Sequence, residues 1–170
     1  MPENLSVGAT PKAEILKKVP LLEGLKDKPE ALGHLAGIMV LRKFPAGHAL
    51  IKEGELGEEF YVLIEGQVSI SKKTPDGDTY KVAILKAEIT PALGEGGLIE
   101  AEPRSATVMC DQPCQCLVLT RDAFLTFCDV HPDEAVPILK KIVHVLMTRL
   151  RQTSHDLMLL HKALMNEIRG

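Results

Sequence analysis

The residues with the most evident chemistry lie in one run, Gly94-Glu95-Gly96-Gly97-Leu98-Ile99-Glu100-Ala101-Glu102-Pro103-Arg104-Ser105-Ala106-Thr107-Val108. A glycine-rich turn can aim successive backbone N–H groups into one concavity, which suits an anion. Arg104 follows Glu95 by nine positions and adds a planar fork able to hold a phosphate through two parallel hydrogen bonds. A carboxylate near that fork can accept hydrogen bonds from a sugar hydroxyl. Anion at one end and hydroxyl at the other describe the sugar-phosphate of a nucleotide. The same residues admit a plainer reading, in which Glu95 and Arg104 form a structural ion pair and Gly94, Gly96 and Gly97 are turn residues.

The run resembles the phosphate-binding cassette of the cyclic nucleotide-binding domain family, whose pattern reads roughly F-G-E-x-A-L-L, a few variable residues, then P-R-x-A-T-V. Gly94-Glu95, Leu98-Ile99 and Pro103-Arg104-Ser105-Ala106-Thr107-Val108 fall in register with it. Upstream, Phe44-Pro45-Ala46-Gly47, Glu53-Gly54, Gly57, Tyr61 and Gly66 resemble the first half of the same domain, so that the resemblance covers about residues 15–160. It implies that Glu95 takes the ribose 2′-hydroxyl and Arg104 the cyclic phosphate. The N–H of Gly94 and the backbone and hydroxyl of Ser105 would complete the cradle, with Gly96 and Ala106 beside them. Leu150-Arg151-Gln152-Thr153-Ser154 resembles the L-x-x-T-S of bacterial catabolite activators, which implies that Thr153 and Ser154 meet the adenine amino group across a dimer axis.

These residues need a scaffold. The chain has 170 residues, 45% hydrophobic and 25% charged, an ordinary balance for a globular protein with one core. A net charge of −3 gives no sign of the basic face that nucleic-acid binders carry, so no DNA partner is expected. No apolar run approaches the roughly eighteen residues of a membrane span, and the N-terminus lacks the apolar core of a signal peptide. A cytoplasmic protein without membrane contact is expected. Four cysteines fit a reduced compartment. Cys114 and Cys116 alternate along an expected strand and both face one side, which makes them core thiols rather than metal ligands. The six histidines have neither metal-site spacing nor a paired nucleophile, so neither a metal nor an enzyme is expected.

Residues 1–11, with Pro2, Gly8 and Pro11, read as a mobile tail. From Ala13 to about Gly37, apolar residues at helical spacings are cut by Pro20, Gly24 and Pro29 into short helices. Short strands are expected at Met39–Phe44, His48–Lys52, Glu59–Ile64, Gln67–Lys72, Thr79–Leu85, Ser105–Cys110 and Cys114–Leu119. Thr74-Pro75-Asp76-Gly77-Asp78 signals a hairpin. Helix returns at Arg121–Asp129 behind Thr120 as N-cap. A second helix runs from Asp133 to about Ile168, and on it Leu139, Val143, Leu146, Leu150, Thr153, Leu157, Leu160 and Leu164 step alternately by four and three, the seam of a two-stranded coiled coil. Ile138, Ile142 and Met147 lie off that seam, placed to pack on the barrel. The fold class is thus mainly β with flanking helices: a jelly roll with its N-terminal helices over 12–132, followed by a long dimerisation or lid helix over 133–170.

Together these features describe a stand-alone, homodimeric receptor for a cyclic nucleotide, cyclic AMP before cyclic GMP, joined through the 139–164 seam and signalling through a protein effector. The activator branch of the family carries a helix-turn-helix after the long helix, and a chain that stops at Gly170 would not read DNA by that route. The alternative is a scaffold of the same fold that works through protein contacts without nucleotide. Gly96-Gly97 and the lengthened 86–93 approach to the cassette favour it.

Overall fold

The computed structural model describes residues 3–5 and 9–169. Helices α1 (Ala9–Leu16) and α2 (Pro29–Ile38) flank a 3₁₀ segment at Pro20–Leu25, so Pro20 and Pro29 open new segments as expected, whereas Gly24 lies within the 3₁₀ segment and does not break it. Strands follow at β2 (Val40–Phe44), β3 (Ala49–Ile51), β4 (Glu59–Glu65), β5 (Gln67–Lys73), β6 (Thr79–Lys86), β7 (Ala92–Leu93), β8 (Thr107–Cys110) and β9 (Cys114–Thr120). The expected tail lies partly outside the described residues. Within it, β1 (Glu3–Leu5) pairs antiparallel with β2, and α1 already starts at Ala9, so those residues join the fold.

The strands form two antiparallel sheets, ordered β1-β2-β9-β4-β7 and β3-β8-β5-β6. This is the jelly roll expected from the strand spacing. Period-two alternation builds two cores from single strands. On β4, Phe60 and Val62 face the helices while Tyr61 and Leu63 face the space between the sheets; on β9, Leu117 and Leu119 divide from Cys116 and Val118 in the same way. Cys110, Cys114 and Cys116 are buried between the sheets. Burial pushes the Cys110 thiol up to about 12, so it stays protonated and inert at neutral pH.

The Thr74–Asp78 turn closes as expected: Asp78 N–H donates to Thr74 Oγ1, and Gly77 takes a positive φ of 92°. The 86–93 stretch folds as a 3₁₀ turn at Ala87–Ile89, with Thr90 at φ 45°, and then as β7, which pairs with Tyr61 and Val62 of β4. This two-residue strand delivers the chain to Gly94.

Helix α3 (Arg121–Val130) is capped by Thr120, whose Oγ1 accepts from Ala123 N–H at 3.3 Å. Helix α4 (Pro132–Arg169) runs for 38 residues, about 57 Å at 1.5 Å per residue. Its first third is fixed to the body: Ile138 and Ile142 are buried in the helical core, and Lys141 Nζ bonds Glu23 of the 3₁₀ segment at 2.7 Å. Met147, expected on that same face, is exposed, because by that point α4 has left the helical core. Val143, Leu146, Leu150, Leu157, Leu160 and Leu164 of the heptad seam are all exposed. Among the described residues no helix is long and apolar enough to cross a membrane.

Candidate functional site

Leaving β7, the backbone turns at Gly94 with φ 80°, a left-handed conformation that favours glycine, and starts a 3₁₀ turn at Glu95–Leu98. The chain then passes through Pro103, bridged to Leu56, and Arg104, whose N–H and C=O bond Glu55 and Gly54, before it enters β8. The two ends of the cassette thereby face each other across a cavity of about 510 Å³, a volume within the usual range of small-molecule sites. Gly94, Glu95, Gly96, Arg104, Ser105 and Ala106 all line it. Ile70 and Val82 of the second sheet form its apolar wall, and Lys72 of β5 with Leu146 and Arg149 of α4 also line it. Among the described residues, the N–H groups of Ser105 and Ala106 donate to no backbone carbonyl or side chain, which leaves both available to a ligand.

Glu95 and Arg104 do not pair with each other. Arg104 Nη1 donates to Gly94 C=O at 3.0 Å and Nη2 to Glu59 C=O at 2.5 Å. The Glu59 carboxylate is occupied elsewhere, accepting from Arg42 Nη1 at 2.6 Å and from the Tyr61 hydroxyl at 2.7 Å. That contact and, above all, burial push the Tyr61 phenol above its ordinary value. Arg104 is therefore half-buried with no carboxylate in ion-pair range among the described residues. Its burial lowers the guanidinium from its ordinary value, opposed by Tyr61, Glu95 and Glu59. A partly desolvated cation held by neutral carbonyls attracts an anion more strongly than one already paired.

Three glycines make that placement possible. A Cβ on Gly57 would lie 2.0 Å from Arg104 Nε, and one on Gly97 would lie 2.7 Å from Nη1 and 2.5 Å from the Gly57 carbonyl. Gly94 is blocked likewise, by Arg104 Nη1 at 2.8 Å. Gly96 meets nothing within 4 Å and is free to face the cavity. The Gly96-Gly97 pair thus divides its roles: Gly97 makes room for the arginine, and Gly96 borders the cavity. Gly57→Ala is expected to leave the fold stable, since its clash is with the end of a flexible side chain, while it displaces the guanidinium and weakens anion binding. Thermal melting and phosphate-ligand titration of this variant read the two effects separately.

Glu95 is buried, at 6% exposure, and Arg149 of α4 forms an ion pair with its Oε1. Sequence reasoning missed Arg149. The signal was available: Arg149 lies one helical turn before Thr153, on the helix face that the L-x-x-T-S motif had already singled out. Thr153 and Ser154 are themselves exposed and do not line this cavity, to which α4 contributes Leu146 and Arg149 among the described residues. The site thus offers a cation with open hydrogen-bonding surroundings, a buried carboxylate and an apolar wall.

Comparison with known proteins agrees with this geometry. Residues 41–131 match the family model described as cyclic nucleotide-binding domain. The chain is 28% identical over 144 residues to the CRP-like cAMP-activated global transcriptional regulator of Mycobacterium tuberculosis, a match covering 85% of this chain and 61% of that protein. It is 32% identical over 117 residues to the cAMP-dependent protein kinase regulatory subunit of Dictyostelium discoideum, covering 68% of this chain and 35% of that one. The chain spans less than two thirds of the length of either relative. The crystal structure of Thermus thermophilus catabolite activator protein superposes with a TM-score of 0.72 at 26% identity, over 83% of this chain and 62% of that one. With more than half of its length matched and the cassette residues gathered round one cavity, this chain belongs to the cyclic nucleotide-binding domain family.

Proposed function

We propose that this protein is a cytoplasmic, non-enzymatic receptor that binds a cyclic nucleotide, cyclic AMP in preference to cyclic GMP, and passes the signal to a protein effector. The observation that carries this reading is the pairing pattern of the cassette: among the described residues Arg104 has no carboxylate in ion-pair range, and Glu95 is held by a residue of the long C-terminal helix rather than by its own loop. The cyclic phosphate would take the free face of Arg104 and the N–H groups of Ser105 and Ala106, with the Ser105 hydroxyl beside them. The ribose hydroxyl would donate to Glu95, where it meets Arg149.

That meeting gives the signal a route. A ligand that alters the Glu95–Arg149 contact changes what holds α4 over the cavity, and it shifts α4 only as far as its affinity differs between the two arrangements. Thr153 and Ser154, one turn beyond Arg149, would reach the base in a partner's site if two α4 helices pair along the 139–164 seam. Calorimetric titration with cyclic AMP and then cyclic GMP tests the reading, after nucleotide carried through purification has been removed. Saturable binding at micromolar concentration or tighter supports it, and the ratio of the two affinities reports the base preference. No heat with either ligand from folded protein sinks it in favour of a nucleotide-independent scaffold.

A further inference from the structure

Away from the cavity, the fold brings together three residues that the sequence keeps far apart. His34 lies on α2, His131 at the joint between α3 and α4, and Glu134 in the first turn of α4. His34 Nδ1 is 3.1 Å from both carboxylate oxygens of Glu134, and His131 Nδ1 is 3.8 Å from Oε2. One ligand atom from each residue lies within 4.8 Å of the other two. The two imidazoles stack with ring centroids 4.3 Å apart, so the exposed His34 ring must turn about its side-chain bonds for both in-plane lone pairs to meet one ion, and Phe127 backs the His131 ring at 5.4 Å. The joint is fixed by its backbone: His131 N–H donates to Phe127 C=O, and its own carbonyl accepts from the N–H groups of Glu134 and Ala135.

We propose that His34, His131 and Glu134 form a binding site for a divalent transition-metal ion of the zinc class, tying α2 to the base of α4. Zinc bonds of about 2.0–2.1 Å to nitrogen and carboxylate oxygen, arranged tetrahedrally, set ligand atoms about 3.3 Å apart. The separations of 3.1 and 3.8 Å bracket that value. Two imidazoles with one carboxylate suit zinc, cobalt, nickel or copper, whereas magnesium and calcium take oxygen ligands. Three protein ligands leave coordination positions for water, and half-exposed His34 gives an ion access from solvent. A metal-free account needs only His34 donating to Glu134, with the carboxylate favoured by the helix dipole at the start of α4. The second imidazole, held by its stacking on His34 and Phe127 with its ring nitrogen 3.8 Å from the same carboxylate, supplies the third ligand that a metal needs. Because α4 reaches the cavity through Arg149, an ion at its base fixes the end of the helix opposite the one left free.

The test is titration of chelator-treated protein with zinc chloride, with cobalt as a spectroscopic substitute. One equivalent per chain, a raised melting temperature and a cobalt d–d band are expected. His34→Ala and Glu134→Gln should each weaken binding by at least about tenfold, the loss seen when even an outer partner of a metal ligand is removed. His34 is half-exposed, so His34→Ala should fold, and the milder His34→Asn provides a second variant; circular dichroism without metal verifies both. His144, His155, His161 and the thiols are other places for an ion. One equivalent retained at undiminished affinity in both variants therefore overturns the proposal, as does the absence of binding to folded protein.

Discussion

Arg104→Ala should abolish measurable cyclic-nucleotide binding while leaving a folded protein. A hydrogen bond to a charged group contributes about 1.5–3 kcal/mol, so the loss of a two-pronged contact with phosphate removes about 3–6 kcal/mol. At tenfold per 1.4 kcal/mol, affinity falls by about a hundredfold or more. The effect is large because the other guanidiniums near the site are engaged, Arg149 with Glu95 and Arg42 with Glu59, while Lys72, which also lines the cavity, offers a single ammonium rather than a fork. The variant also loses the bonds to the Gly94 and Glu59 carbonyls, a loss of about 1–3 kcal/mol to stability if those oxygens find no water. Arg104→Lys separates the two roles. It keeps the charge, but a single ammonium cannot replace a fork that spans two carbonyls and still presents a face to the ligand, so it should fall between wild type and alanine. Calorimetry and thermal melting of the three proteins provide the measurement. Nucleotide affinity unchanged in Arg104→Ala would mean that the cavity is not the binding site.

Most of the scaffold was legible because it follows from local patterns. Alternation on β4 and β9 gave strands with two buried faces, Thr120 marked the start of α3, and the 74–78 turn residues fixed the β5–β6 hairpin. The cassette was legible for a different reason: all its contact residues lie within fifteen positions of one another. What escaped notice was set by packing between distant segments. Arg149 lies fifty-four residues from Glu95, and His34 lies a hundred from Glu134. Neither pairing leaves a periodicity in the chain. β7 is two residues long and has no period to read, yet its pairing with β4 aims Gly94 at Arg104. Gly57 was visible as a glycine, but the arginine that requires it comes from forty-seven residues further on.

The distal half of α4 carries the other large expected effect: Leu157→Glu combined with Leu164→Glu should convert a dimer into a monomer. In the chain by itself, Leu150, Leu157, Leu160 and Leu164 are more than half exposed, well beyond Ile142, the last residue of α4 buried in the core. An isolated helical stretch of that length is marginal in water, so something must cover its apolar face if it is to persist. The occupant we propose is a second copy, since the heptad spacing of Leu150, Leu157 and Leu164 matches the seam of two identical helices. Burying a leucine contributes about 1.5–3 kcal/mol, and the double substitution removes four per dimer while setting like charges against each other. A loss of about 6–12 kcal/mol is comparable with the whole free energy of a micromolar-to-nanomolar association, so sedimentation should report a monomer, with reduced helicity by circular dichroism. A wild-type chain that sediments as a monomer, or a double variant that remains a dimer, would rule out this seam. The same variant decides the role of Thr153 and Ser154, because both substitutions lie outside the cavity. If these hydroxyls complete the partner's site, dissociation weakens nucleotide binding even though Glu95, Arg104 and Arg149 are untouched; if affinity is retained in the monomer, each chain holds its ligand with its own residues alone.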